Sequence, residues 1–137
     1  MSRPEYLKET NQGVARQILQ EICDQYNHMR LGYTEVKEAI KELEGNIGED
    51  DFIFDFDGNK YRIIKDSAIW DIYVDEIKNT VEECYDLELD KIPSFIVVRI
   101  DWEQTAQNAY VDGYGHQFAS YDSEEYEAAG YWIFRTN

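Results

Sequence analysis

The sequence is short of basic residues. It has 13 Lys plus Arg against 29 Asp plus Glu, which gives a formal net charge of −16 at pH 7. Direct binding to nucleic acid needs clustered Lys and Arg to meet the phosphates, and an anionic membrane surface attracts the same cations. The shortage of bases therefore argues against direct binding to nucleic acid and against binding to a membrane surface.

Cysteine and long apolar runs are scarce as well. Cys23 and Cys84 form no Cys-x-x-Cys pair and no Cys/His cluster, which argues against a disulfide framework and against zinc. We expect both to be small buried apolar side chains. No apolar run approaches the roughly 20 residues that span a bilayer, and residues 1–5 lack the apolar core of a signal peptide. These absences predict a cytoplasmic protein.

The composition does contain enough apolar side chains for a core. Hydrophobic residues make up 43% of the chain and aromatic residues 15%, too many for a disordered acidic tail. We interpret residues 1–137 as a single acidic domain, since the length suits one. Residues 1–33 are a neutral helical segment, with four acids and four bases. Residues 34–137 therefore carry the whole net charge.

Apolar residues that recur at spacings of three and four predict helices. The predicted helices cover residues 5–29, 34–45, 67–86 and, as a short fourth one, 101–111. Thr34 and Ser67 are the predicted N-caps of the second and third helices, because a hydroxyl there can accept a backbone N–H of the first turn.

Runs of aromatic and β-branched residues predict strands. Residues 52–56 and 61–64 flank an Asp57-Gly58 step, which is a strong hairpin signal. Residues 95–98 are predicted to be a buried strand, and residues 117–134 a second hairpin around a turn at 122–125. The sequence therefore predicts an α+β fold with about three helices packed on antiparallel strands.

The acidic residues of the third predicted helix follow one face. Asp71, Asp75, Glu82 and Asp86 lie at i, i+4, i+11 and i+15, with Glu76 and Glu83 beside them. This row is about 20 Å long at 1.5 Å per residue, and neighbours one turn apart are separated by about 5–6 Å. That separation is of the same order as the spacing of charges along a nucleic-acid strand. A second acidic patch consists of Asp122, Glu124, Glu125 and Glu127.

Two interpretations of these carboxylates stay open. They are either a solvated face of an acidic protein, or they imitate phosphates and occupy the DNA site of another protein. The second interpretation predicts that each carboxylate meets a Lys or Arg that normally holds phosphate, with an attraction that weakens as salt rises.

No catalytic motif is convincing. The segment Phe52–Gly58 is similar to the apolar strand and Asp-x-Asp-Gly motif of haloacid-dehalogenase-type phosphatases, in which the two aspartates are nucleophile and general acid. Asn59 replaces the usual Thr or Val, and a hairpin strand follows instead of a helix. His28 and His116 belong to no metal or nucleophile–base pattern. We therefore expect no enzyme, no metal site and no cofactor.

The last part of the chain resembles a known family. The segment Ile100–Glu103, Ala106 and the closing strand Tyr131–Arg135 resemble the end of ArdA-type antirestriction proteins and are similar to small uncharacterised phage proteins. The match covers under a third of the chain, and Gln107–Ala109 stands where the family tends to have Arg-Asp-Leu. Members of the family are acidic dimers that mimic bent DNA and block type I restriction–modification enzymes.

The resemblance implies a phage or mobile-element inhibitor that acts in the cytoplasm of its host cell. Its expected partner is a host DNA-binding enzyme, contacted through that enzyme's DNA site, and a homodimer stays open. The alternative is a non-enzymatic interaction module or assembly factor with an aromatic binding surface. Eleven tyrosines favour that alternative, because aromatic anchors supply much of the affinity at protein interfaces.

Overall fold

A four-stranded antiparallel sheet with helices on both faces organises the protein. The computed structural model describes residues 10–26, 32–84, 88–110 and 113–137. The helices are α1 (Asn11–Tyr26), α2 (Tyr33–Asn46), α3 (Asp66–Cys84), α4 (Trp102–Ala109) and α5 (Gly115–Phe118), with a 3₁₀ turn at Leu89–Lys91. The strands are β1 (Asp51–Phe56), β2 (Asn59–Lys65), β3 (Tyr126–Ala128) and β4 (Tyr131–Arg135), in the order β1-β2-β4-β3. The predicted α+β class is confirmed.

The first hairpin forms where the sequence predicts it. Asp57 and Gly58 have φ angles of 52° and 80°, and Phe56 pairs with Asn59 across the turn. Two consecutive residues in the left-handed region give a turn whose twist matches that of the two strands. This local chemistry sets the register of β1 against β2.

The two central strands are buried on both faces. Tyr61 and Ile63 of β2 lie in a core with Ile18 of α1 and Leu43 of α2. Ile64, the next residue along β2, lies in a second core that also holds the residues Ile69, Tyr73, Ala106, Phe118 and Phe134. Successive strand residues point to opposite faces, so α1 and α2 cover one face and α3, α4 and α5 cover the other.

Both predicted N-caps are wrong. The carboxylate of Glu35 accepts the Gly32 N–H at 3.0 Å, and α2 begins at Tyr33, so Thr34 lies inside the helix. The reach of Glu35 back to Gly32 supplies the cap that threonine was expected to supply. Helix α3 begins at Asp66, directly after β2, which places Ser67 in its first turn.

The predicted strand at residues 95–98 is also wrong. These residues join no strand, and Phe95, Ile96, Val97 and Val98 are 83%, 48%, 75% and 45% exposed. A run of β-branched and aromatic residues has β propensity, but a strand forms only where a neighbouring strand accepts its backbone hydrogen bonds.

The second predicted hairpin is present, but its turn lies at other residues than those predicted. Strands β3 and β4 turn at Ala129-Gly130, with φ angles of 52° and 83°. Residues 122–125 lie before β3, where the Ser123 N–H donates to the Ala119 carbonyl at 2.8 Å. Alanine is uncommon in the left-handed region, so the sequence gives little sign of this turn.

Neither cysteine is the fully buried side chain that the sequence predicts. Cys23 is half-buried, and Cys84 is exposed at the last position of α3. Burial, followed by the charge of Asp24, raises the pKa of Cys23 above its ordinary value. The predicted helix over residues 5–29 is observed from Asn11 to Tyr26, and its two ends lie outside the described residues.

Candidate partner-binding surfaces

The outward face of α3 carries a row of exposed carboxylates. Ile69 and Tyr73 are buried, while the acidic side chains on the opposite side are exposed: Asp71, Asp75, Glu82 and Glu83. We call these four residues the α3 acidic row. Asp86, the last residue of the predicted row, lies outside the described residues.

The α3 acidic row forms no ion pair within the described chain. The ion pairs of residues 10–26, 32–84, 88–110 and 113–137 involve other carboxylates. Lys78 is the one basic residue of α3, and its ammonium group lies 5.9 Å from the centre of the Trp102 ring. Lys78 lies three residues after Asp75 and four before Glu82, but it forms no ion pair with either, so the row presents its carboxylates to solvent without an ion pair in the described chain.

Glu76 has a different role from its neighbours. Its Oε1 accepts Arg62 Nη1 at 2.7 Å, and Arg62 also holds both carboxylate oxygens of Asp51, at 2.6 and 3.0 Å. Burial lowers the pKa of Arg62, but the hydrogen bonds to Asp51 and Glu76 outweigh burial and leave the pKa above its ordinary value. Arg62 therefore ties α3 to β1 and neutralises Glu76, which removes Glu76 from the free carboxylates of the helix.

The second predicted patch separates into structural and exposed residues. Asp122 Oδ2 accepts the hydroxyl of Tyr26 at 2.8 Å, and Glu125 Oε2 accepts the Tyr114 N–H at 2.8 Å. Burial raises the pKa of Tyr26, and the hydrogen bond to Asp122 raises it further. Glu124 and Glu127 are exposed and stay available to a partner.

An acidic groove of about 260 Å³ lies between α2 and β1. Its charged lining consists of Glu35, Glu38, Glu42, Asp55 and Asp57. Sequence reasoning missed this groove because α2 and β1 supply its carboxylates separately and only the fold brings them together. The groove extends the acidic surface to the side of the sheet opposite α3.

An aromatic cluster lies beside the start of α3. Its rings belong to Trp70, Tyr73, Tyr110, Tyr114 and Trp132, with neighbouring ring centres between 5.1 and 6.5 Å apart. The indole N–H of Trp70 donates to Glu103 at 2.6 Å, and that of Trp132 donates to Asp66 at 2.7 Å. The cluster is thus fixed by its own ring contacts and bordered by carboxylates.

Burial and the ring contacts of the cluster also change the pKa of its tyrosines. Burial, and next the neighbouring Tyr110, raise the pKa of Tyr114 above its ordinary value. Tyr110 is 39% exposed, so part of the cluster faces solvent. Exposed aromatic side chains on a rigid support are typical of protein-binding surfaces.

The structure shows where the acids of the phosphatase-like motif lie. No three His, Cys, Asp or Glu side chains within them are grouped as ligands of a metal ion. Asp55 is an exposed residue of β1, Asp57 lies in the hairpin turn, and the chain continues into β2, unlike the helix that follows this motif in phosphatases. A separate search of the described helices finds none that is both long and apolar enough to cross a membrane.

Comparison of the chain with known protein families, with characterised proteins and with solved structures finds no match. The resemblance to ArdA-type proteins therefore stays a prediction. In the structure, Asp101 accepts the Gln104 N–H and caps α4, and Tyr131–Arg135 is β4, one of the two central strands. Of the residues that carry the resemblance, Ala106 and Phe134 lie in the second core, and Tyr131 and Ile133 lie in the first.

Proposed function

We propose that this protein inhibits a host DNA-handling defence enzyme by binding the DNA site of that enzyme as an acidic mimic of DNA. A phage or mobile element is the source that this role fits. The observation that carries the proposal is the α3 acidic row, whose carboxylates are exposed and unpaired within the described chain.

The spacing of the row suits a surface built for phosphates. Asp71 and Asp75 are one helical turn apart, about 5–6 Å, and Glu82 lies about 16 Å along the axis from Asp71. A DNA site presents Lys and Arg at comparable intervals. With a net charge of −16, long-range attraction would steer the protein towards such a basic site.

Repulsion within the α3 acidic row lowers the stability of the helix, and folding alone does not explain why these charges are present. Asp71 and Asp75 are like charges at i and i+4, which destabilises a helix by about 0.2–0.5 kcal/mol, and no ion pair within the described chain holds any residue of the row. Lysines at alternate positions would keep the helix soluble and add stability. Retention of the negative charge therefore favours a role outside the fold.

The experiment is capture of partners from a bacterial lysate on the immobilised protein, with elution along a salt gradient. The proposal predicts that a DNA-binding enzyme elutes at moderate salt and is displaced by duplex DNA. The triple variant Asp71→Lys/Asp75→Lys/Glu82→Lys should capture none of it. Its matched control is Glu49→Lys/Asp50→Lys/Asp90→Lys, which makes the same change in net charge at exposed positions and should still capture the enzyme.

Two results would contradict the proposal. One is capture by the α3 triple variant that equals capture by the wild-type protein. The other is a partner that stays bound through high salt and ignores duplex DNA.

A second candidate function is a non-enzymatic interaction module or assembly factor that binds through the aromatic cluster. The exposed edge of Tyr110 and the fixed indoles beside it favour this candidate. It predicts a complex that survives high salt, because apolar burial is not screened by ions. Tyr110→Ser should then weaken capture, while the α3 triple variant should not.

A further inference from the structure

A groove between α1 and α2 is lined by three basic side chains. Its volume is about 500 Å³, within the range of roughly 300–1,000 Å³ that is typical of small-molecule sites. Its cations are Arg16 of α1 and Lys37 and Lys41 of α2. We call this cavity the basic groove. It lies with α1 and α2 on one face of the sheet, whereas the α3 acidic row lies on the other.

The basic groove concentrates positive charge in a strongly acidic protein. The chain has 13 basic residues and a net charge of −16, yet three of these bases line one cavity. Helix α2 separates its charges, since its acids Glu35, Glu38 and Glu42 line the acidic groove on its other side. The basic groove can therefore attract an anion to a protein whose net charge repels anions.

The three cations of the basic groove form no ion pair within the described chain. The ion pairs of residues 10–26, 32–84, 88–110 and 113–137 involve other bases. Glu38 and Glu44 each lie three residues from Lys41, but neither forms an ion pair with it. Lys37 and Lys41 are like charges one helical turn apart, which destabilises a helix. An anion bound between these lysines would remove that repulsion.

An aromatic ring and apolar surface lie beside the cations. Tyr33 lines the basic groove and is 81% exposed, and it precedes Lys37 by about 6 Å along the helix axis. Val36 and Ile40, half-buried residues of the same helix, also line the groove. An exposed tyrosine offers a ring on which a nucleobase can stack, while Lys and Arg bind phosphate. The lining therefore suits a ligand that joins an aromatic base to phosphate.

Glu44 limits the length of the anionic part of such a ligand. It is half-buried and lines the basic groove, about 16 Å along α2 from Tyr33, and both lysines lie between these two residues. A long polyanion, such as a nucleic-acid strand or an acidic peptide, would meet this carboxylate as it continued along the groove. A short phosphate chain attached to a base avoids the carboxylate.

We propose that the basic groove binds a nucleoside mono- or diphosphate, with the base on Tyr33 and the phosphates held by Arg16, Lys37 and Lys41. Because Arg16 belongs to α1 and the lysines belong to α2, the ligand contacts both helices. This inference does not depend on the DNA site of any other protein, and the basic groove shares no residue with the α3 acidic row.

Isothermal titration calorimetry of the full chain tests the proposal, with ADP, GDP, CDP and UDP as the probes. At least one of them should bind with a dissociation constant below about 100 μM. The variant Lys37→Gln/Lys41→Gln should raise that constant by at least about tenfold, since it removes two charged contacts to phosphate. The matched control, Lys60→Gln/Arg99→Gln, makes the same change in net charge at exposed positions outside the groove. It should leave the dissociation constant unchanged.

Further titrations test the base and the phosphates separately. Tyr33→Ser should raise the dissociation constant of the bound nucleotide by at least about fivefold, because it removes the stacking ring. Tyr121→Ser is the matched control, since Tyr121 is 57% exposed and lies outside the groove. The nucleoside without phosphates and inorganic pyrophosphate should each bind at least about tenfold more weakly than the nucleotide, because each keeps only one part of the ligand.

Three results would overturn the proposal. The first is that none of the four nucleotides binds with a dissociation constant below about 100 μM. The second is a nucleotide that the Lys37→Gln/Lys41→Gln variant or the Tyr33→Ser variant binds as tightly as the wild-type protein does. The third is that pyrophosphate, or a single-stranded DNA of about eight nucleotides, binds as tightly as the best nucleotide, since the groove would then recognise negative charge alone.

Discussion

Replacement of Arg62 by methionine should destabilise the fold more than loss of the exposed Lys91–Glu88 ion pair. The side chain of Arg62 is 19% exposed, and its two carboxylate partners are about 30% exposed. The variant keeps most of the apolar stem but removes three charged hydrogen bonds. Glu76 Oε2 is already buried without a partner, so the variant leaves Glu76 with no stabilising contact in a shielded place.

The stability lost in the Arg62→Met variant depends on how far Arg62, Asp51 and Glu76 are shielded from solvent. Loss of one partner from a fully buried ion pair costs about 3–5 kcal/mol, while an exposed pair contributes about 0–1 kcal/mol. The partial exposure of Asp51 and Glu76 places the expected loss between these limits, at about 2 kcal/mol. Urea denaturation should measure this as a lower midpoint without a change in the slope.

The control is Lys91→Met. Lys91 and Glu88 form an i,i+3 ion pair at 3.0 Å with side chains 68% and 57% exposed, so its loss should cost less than about 0.5 kcal/mol. In the Arg62→Met background, Asp51→Asn and Glu76→Gln together should recover part of the stability, because they remove the unpaired charges. An Arg62→Met protein no less stable than Lys91→Met would refute this account of the α3–β1 contact.

Three further predictions concern pH and the glycines. The raised pKa of Tyr26 means that the folded state holds the phenol proton more tightly than the unfolded chain, whose tyrosine titrates near pH 10. The contribution of the Tyr26 phenol to the free energy of unfolding is therefore present below pH 10 and is lost as the pH rises above 10. Tyr26→Phe should reduce the fall in stability to urea between about pH 9 and 11. Gly115→Ala should destabilise the fold by about 1–3 kcal/mol, because the new methyl group would overlap the Ser123 carbonyl. Gly45→Ala, in helix α2 with no atom beyond its chain neighbours and its own helix backbone within 4 Å of the added carbon, should stabilise the fold by about 0.5–1 kcal/mol. Thermal unfolding of the two glycine variants checks both signs, and equal shifts would contradict them.

Local chemistry explains what the sequence predicted well. The Asp57-Gly58 turn is specified by two neighbouring residues, and the buried face of α3 by spacings within one helix. The exposure of Asp71, Asp75 and Glu82 follows from the same helical period. Each of these features needs contacts between residues only a few positions apart.

Contacts between residues that are distant in sequence explain the features that the sequence did not predict. The partner of Glu76 is Arg62, 14 residues earlier, and the partner of Asp122 is Tyr26, 96 residues earlier. Neither pairing leaves a local pattern, so both acids were predicted to be free carboxylates. The exposure of Phe95–Val98 has the same origin, because β propensity is local whereas the supply of a neighbouring strand is a property of the whole fold.

The most direct test of the proposed function is the affinity of the captured enzyme for the α3 triple variant Asp71→Lys/Asp75→Lys/Glu82→Lys, measured at several salt concentrations. The account predicts binding at least about a hundredfold weaker than that of the wild-type protein at low salt, because each reversal replaces an attraction with a repulsion. It also predicts that the difference narrows as salt rises. Equal affinities of the two proteins at low salt would contradict the central claim that the α3 acidic row occupies a DNA site.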